Sequence, residues 1–143
     1  MSELTSPGGS PPSSSFLLDT NILIAALDED PAVLDAVARS DAVCIPAVAL
    51  GELYYGASHS AHPERNFSRV TSLAAGQIVI GTDDGTAMQY GLVKADLRRR
   101  GRLIPDNDLW IAALALQHDF TLATRDAHFT SVTNLRIVRW DSA

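Results

Sequence analysis

Cysteine is almost missing from this chain: Cys44 stands alone among 143 residues. A single thiol excludes a disulfide framework, and no Cys/His cluster with zinc spacing accompanies it. No apolar run approaches the roughly 20 residues that a membrane-spanning helix requires. Residues 1–15 carry neither the basic region nor the hydrophobic stretch of a signal peptide. Positive charge is also scarce, with 11 Lys and Arg against 17 Asp and Glu for a net charge of −6. That balance argues against sequence-blind adhesion to nucleic acid or to an anionic membrane. The expectation is a soluble protein of a reducing cytoplasm.

What is present is the material of one packed domain, 46% hydrophobic and 20% charged. A chain of this length buries roughly two-thirds of its unfolded surface and folds without a structural metal. The segment MSELTSPGGSPPSSS (1–15) holds little to bury and reads as a disordered tail, leaving a single domain over 16–143. Within it, short apolar runs alternate with helical patterns. FLL (16–18), AVCI (42–45), QIVI (77–80), FTLAT (120–124) and LRIVRW (135–140) read as strands, and the segments between them as helices. This alternation predicts an α/β domain, three layers with a central, mainly parallel five-stranded sheet flanked by helices. Ligands of such sheets bind outside the carboxyl ends of the strands, where Asp19 and Asp126 fall.

On four separate segments, acid stands where acid is expensive. Asp19 is the sole charge between Ser15 and Leu27, and Glu52 the sole charge between Asp41 and His59, on a helix apolar nearly all round. A lone buried carboxylate costs several kcal/mol unless it is paired or binds a cation. Asp106 and Asp108 open the apolar run LWIAALALQH, and Asp126 follows the fourth strand. Each has a plainer reading: Asp19 as a helix N-cap, Glu52 reaching solvent through a gap, Asp106 and Asp108 favoured by the helix dipole, Asp126 as a turn residue. Together, hard oxygen ligands on four separate elements suit Mg²⁺ or Mn²⁺, and the chemistry implied is hydrolysis of a phosphate ester.

In sequence order these residues resemble the PIN-domain ribonucleases, in particular the VapC-type toxins of bacterial toxin–antitoxin pairs. LLDTNILI (17–24), ELYYGA (52–57), GRLIPDNDLWIAALAL (101–116) and TRDAHF (124–129) carry the likeness, which covers essentially 16–140. The resemblance implies Asp19, Glu52, Asp108 and Asp126 as the catalytic acids, with Asp19 and Asp108 as principal metal ligands. Asp108 is preferred over Asp106 because the family's acid stands three residues before an Ile-Ala-Ala step. The position before Phe129 is often acidic in the family; here it is His128. The resemblance further implies a Mg²⁺- or Mn²⁺-dependent endoribonuclease, an RNA substrate, a cognate antitoxin and a homodimer.

Beside the leading acid, Thr20 is expected to orient Asp19 or a metal-bound water, and Asn21 to assist or simply cap the helix. The run Arg98, Arg99, Arg100 and Arg102 is either a helix end complementing the dipole or a rim for RNA phosphates, with Arg98 and Arg100 as candidates. A haloacid dehalogenase-type phosphatase is excluded because Asn21 stands where its second Asp is needed. No GxGxxG or P-loop is present. Two alternatives remain open: a PIN nuclease that processes RNA without being a toxin, and a non-catalytic PIN-like module that binds RNA or protein.

Overall fold

A computed structural model describes residues 15–141; residues 1–14 of the expected tail lie outside the described residues. Five strands are present in chain order: β1 (Ser15–Leu18), β2 (Ala42–Pro46), β3 (Ile78–Ile80), β4 (Thr121–Ala123) and β5 (Ile137–Val138). They form one sheet in the order β3-β2-β1-β4-β5, and every neighbouring pair is parallel. The helices occupy the crossovers: α1 (Thr20–Leu27) and α2 (Pro31–Arg39) after β1, α3 (Ala47–Ser58) and α4 (Pro63–Ala74) after β2. Then come α5 (Asp84–Arg99) and α6 (Asp106–His118) after β3.

Successive residues of a strand point to opposite faces. Leu17 and Leu18 of β1, and Leu122 and Ala123 of β4, are all buried. Both faces of the central strands are therefore covered, which gives the three layers expected. The edge is different: Ile78 and Val79 of β3 remain exposed. Ser15 heads β1 opposite Ala42, one residue earlier than the apolar run suggests. LRIVRW contributes only two strand residues, although backbone bonds from Leu122 N–H to Arg136 O (2.8 Å) and Thr124 N–H to Val138 O (3.0 Å) flank them. Cys44 is buried in β2, as its apolar surroundings predict.

Chain direction across the sheet reverses between β1 and β4. The chain steps outward from β1 through β2 to β3, then returns through α5 and α6 to β4 on the other side of β1. Such a switch point opens a crevice at the carboxyl ends of the two central strands, since the loops leaving them diverge. Asp19 leaves β1 there, and Thr124 to Asp126 leave β4. The Asp19 N–H donates to Ala123 O (3.0 Å), locking the two exits side by side.

Candidate active site

Asp19 is the most buried acid of the site, 3% exposed. It caps α1, accepting at Oδ1 from Thr20 N–H (2.8 Å) and at Oδ2 from the Thr124 hydroxyl (2.7 Å). Burial pushes its pKa up from 3.8 to about 6, against these two hydrogen bonds, and the charges of Asp108 and Asp126 push the same way as burial. Capping is thus real, yet the site makes this cap an uncomfortable anion.

The other acids converge from three elements. Asp108, in the first turn of α6, has a side chain 16% exposed, and burial raises its pKa. Asp126 caps a 3₁₀ turn (Ala127–Ser131), accepting from His128 N–H (2.9 Å), while its own N–H donates to Thr124 Oγ1 (2.9 Å). Glu52 projects from α3, half-buried, and accepts from the Thr20 hydroxyl (2.7 Å). Asp19, Glu52, Asp108 and Asp126 line one open cavity of about 530 Å³ together with Thr20 and His128. Among the described residues, no Lys or Arg stands within ion-pair distance of any of the four acids; only His128 does.

Several expectations change. The α3 helix is not buried all round: Tyr55 is 66% exposed and Gly51 and Gly56 are open. Its apolar composition carries no direction, and Glu52 sits on a side that opens into the cavity. The Thr20 hydroxyl holds Glu52; only the Thr20 backbone reaches Asp19. Asn21 lines the cavity, but its Oδ1 accepts from Arg125 N–H (3.1 Å) and so clips the two strand exits together. Asp106 is engaged by α5, accepting from the Tyr90 hydroxyl with Lys94 Nζ 3.6 Å away. Neither Arg98 nor Arg100 lines the cavity. Arg98 is exposed at the end of α5. Arg100 bonds Asp96 (2.7 Å) and Ser131 O (2.6 Å), tying α5 to the far end of the turn that Asp126 caps.

Two residues of the site carry no conspicuous sequence signal. Thr124 links Asp19 to Asp126 through a single hydroxyl, and its one hint is a polar residue closing an apolar strand. His128 places Nδ1 3.1 Å from Asp126 Oδ2 and 3.4 Å from Asp108 Oδ2. Its position was legible only as an acid not present.

The donor set fits a divalent cation. A buried carboxylate pushed toward neutrality, with further carboxylates beside it and no Lys or Arg partner among the described residues, needs positive charge from elsewhere. Hard oxygen donors supply what Mg²⁺ or Mn²⁺ takes.

Comparison with known proteins decides the family. The PIN domain family profile matches residues 16–135. The chain belongs to the PIN domain family. It is 32% identical over 130 residues to ribonuclease VapC2 of Haemophilus influenzae, covering 87% of this chain and 97% of that protein. It is 33% identical over 128 residues to the tRNA(fMet)-specific endonuclease VapC of Shigella flexneri, with the same coverage of 87% and 97%. This PIN domain also superposes on DNA-bound VapBC of Salmonella typhimurium with a TM-score of 0.84 at 28% identity, over 89% of this chain and 98% of that one. On VapBC2 of Rickettsia felis, bound to a promoter DNA fragment, the TM-score is 0.82 at 29% identity, covering 89% and 99%.

Proposed function

We propose that this PIN domain is a metal-dependent endoribonuclease and the toxin of a toxin–antitoxin pair. The observation that carries the reading is the convergence of Asp19, Glu52, Asp108 and Asp126 in one crevice with no Lys or Arg within ion-pair distance among the described residues. Asp19 and Asp108 would hold Mg²⁺ or Mn²⁺, being the more desolvated pair. Such an ion polarises a phosphoryl oxygen, lowers the pKa of a bound water and stabilises a leaving alkoxide.

The chain's own residues supply position and proton handling. Thr124 and the Thr20 N–H fix both oxygens of Asp19, so the buried carboxylate keeps one orientation. Thr20 fixes one oxygen of Glu52, leaving the other to accept a proton from an attacking water. The 3₁₀ turn sets Asp126 across from them. The acids repel an RNA backbone on their own, so cleavage requires the cation both for binding and for chemistry.

A macromolecular antitoxin is the partner expected on this reading, since the structural relative VapBC-5 of Mycobacterium tuberculosis is a member of a family of toxin–antitoxin systems. Assembly as a homodimer belongs to the same proposal. Among the described residues no helix is long and apolar enough to cross a membrane. The test is cleavage of total cellular RNA by the purified chain with Mg²⁺ or Mn²⁺, with sequencing of the new RNA ends. Discrete ends that vanish in EDTA are expected. Cleavage that persists in EDTA, or none with either ion, overturns the reading.

A further inference from the structure

We infer that His128 is a nitrogen ligand of the cation site and tilts this PIN domain toward a first-row transition ion such as Mn²⁺ over Mg²⁺. The inference rests on the metal-dependent reading above and concerns a residue that stands in place of an acid.

The geometry supports a shared ion. Asp108, Asp126 and His128 each offer one donor atom, and those atoms lie within 4.8 Å of one another. Donors about 2.1 Å from one octahedral ion are about 3 Å apart along an edge and about 4.2 Å apart across it. The distances of 3.1 Å and 3.4 Å from His128 Nδ1 to the two carboxylates fall near the edge value. The imidazole is held in place by its backbone: His128 N–H donates to Asp126 Oδ1, and the next side chain, Phe129, is fully buried. The ring therefore pivots from a fixed point although it is 52% exposed. An Nδ1 facing two carboxylates holds either a proton or a cation at that atom. With a cation bound, Nδ1 would offer its lone pair and the ring proton would reside on Nε2.

Ligand chemistry gives the selectivity. Mg²⁺ takes oxygen donors and sheds water reluctantly, whereas imidazole suits divalent transition ions, with Mn²⁺ at the weak end of their affinity order. An acid at this position would make the site all-oxygen; histidine makes it mixed.

The test measures binding apart from turnover. Mn²⁺ and Mg²⁺ affinities of wild type, His128→Asp and His128→Asn are compared by calorimetry and competition, and bound Mn²⁺ is examined by pulsed EPR for coupling to ¹⁴N. The expected result is a ¹⁴N coupling in wild type that both variants lose, and a Mn²⁺ to Mg²⁺ affinity ratio lower by about 10-fold in His128→Asp. Unchanged thermal unfolding of the variants without metal keeps the comparison valid, and the ¹⁴N signal of wild type decides by itself should they misfold. Mn²⁺ bound without ¹⁴N coupling, yet lost on Asp19→Asn, overturns the role of His128 while the metal-dependent reading stands. No Mn²⁺ bound at all overturns both.

Discussion

Asp19 and Asp83 have the same local role and opposite electrostatics. Each follows a strand of the sheet and caps a helix. Asp83 accepts from Thr86 N–H (3.1 Å), Gln117 Nε2 (2.7 Å) and the Thr86 hydroxyl (3.2 Å), closing a capping box at the start of α5. The Thr86 N–H and the Gln117 amide hold its carboxyl below the usual carboxylate range. Asp19 also has two donors, but it is buried, and Asp108 and Asp126 face it across the crevice. The fold is served by one anion and burdened by the other. The difference lies in what stands opposite, which no local motif encodes.

The largest separation between the two comes from removing each. Asp19→Asn is expected to lower RNA cleavage by at least ~100-fold, because on the proposed reading a metal ligand is lost, and to raise the Tm of the metal-free protein at neutral pH. Ionised Asp19 costs the fold roughly 3 kcal/mol on the difference between 3.8 and about 6, so a gain of up to roughly 10 °C is in range. Asp83→Ala is expected to do the reverse, leaving cleavage intact and lowering Tm through a lost cap. An Asp19→Asn protein less stable than wild type without metal would remove the contrast.

The pH dependence carries opposite signs as well. Folded Asp19 keeps its proton to about pH 6, whereas the unfolded chain keeps it only to 3.8. Below 3.8 both states are protonated and the group contributes nothing. Above about 6 the folded state bears the full penalty, so metal-free wild type loses stability relative to Asp19→Asn as pH rises from about 4 to 6. Asp83 behaves conversely: its contribution is fully present above 3.8 and fades as pH falls below that value toward its lowered folded one. Tm measured for wild type and both variants from above pH 6 to below 3.8 gives two difference curves of opposite slope, the Asp19 curve changing between about 4 and 6 and the Asp83 curve only below 3.8.

Smaller effects attend the hydroxyls that orient the acids. Thr124→Val removes a donor to Asp19 and an acceptor for Asp126 N–H, and cleavage should fall 10- to 100-fold with a stability loss of about 1–2 kcal/mol. Thr20→Val releases only Glu52 and should cost about 10-fold in kcat with little change in Tm. Equal effects would mean that Glu52 needs its hydroxyl partner as much as Asp19 does.

The same contrast explains what the sequence made legible. Strands β1, β2 and β4 appear as short apolar runs because burial on both sheet faces leaves an unbroken hydrophobic signature; β3 shows the same composition on an exposed edge, and the four site acids stand out as charges in or beside apolar stretches. The exposed side of α3 was not legible, since apolar and small residues such as Tyr55 and Gly56 give no direction when no polar stripe marks the outside. The bonds from Thr124 to Asp19 and from Gln117 to Asp83 join residues 105 and 34 positions apart. Spacing along one element cannot reveal them. The 3₁₀ turn that presents His128 is too short for a period, and β5 shrinks to two residues because only that stretch keeps strand pairing with β4.

The smallest effect expected concerns the arginines at the end of α5, and it divides them. Arg100 is committed: Asp96 and Ser131 O occupy its guanidinium, which braces the turn carrying Asp126 and His128. Arg98 is exposed on the same helix end, outside the cavity. If it meets RNA, it does so as one phosphate contact beyond the metal site. Loss of one such contact to a single strand makes the slope of log affinity against log salt shallower by about 0.7. Arg98→Ala is therefore expected to weaken RNA binding modestly and flatten the salt slope by that amount, with kcat at saturating RNA unchanged and Arg98→Lys restoring the slope. Arg100→Ala should act the other way, lowering Tm and kcat while leaving the salt slope as it was, because it loosens a brace. An unchanged slope in Arg98→Ala would assign that arginine to the helix dipole alone.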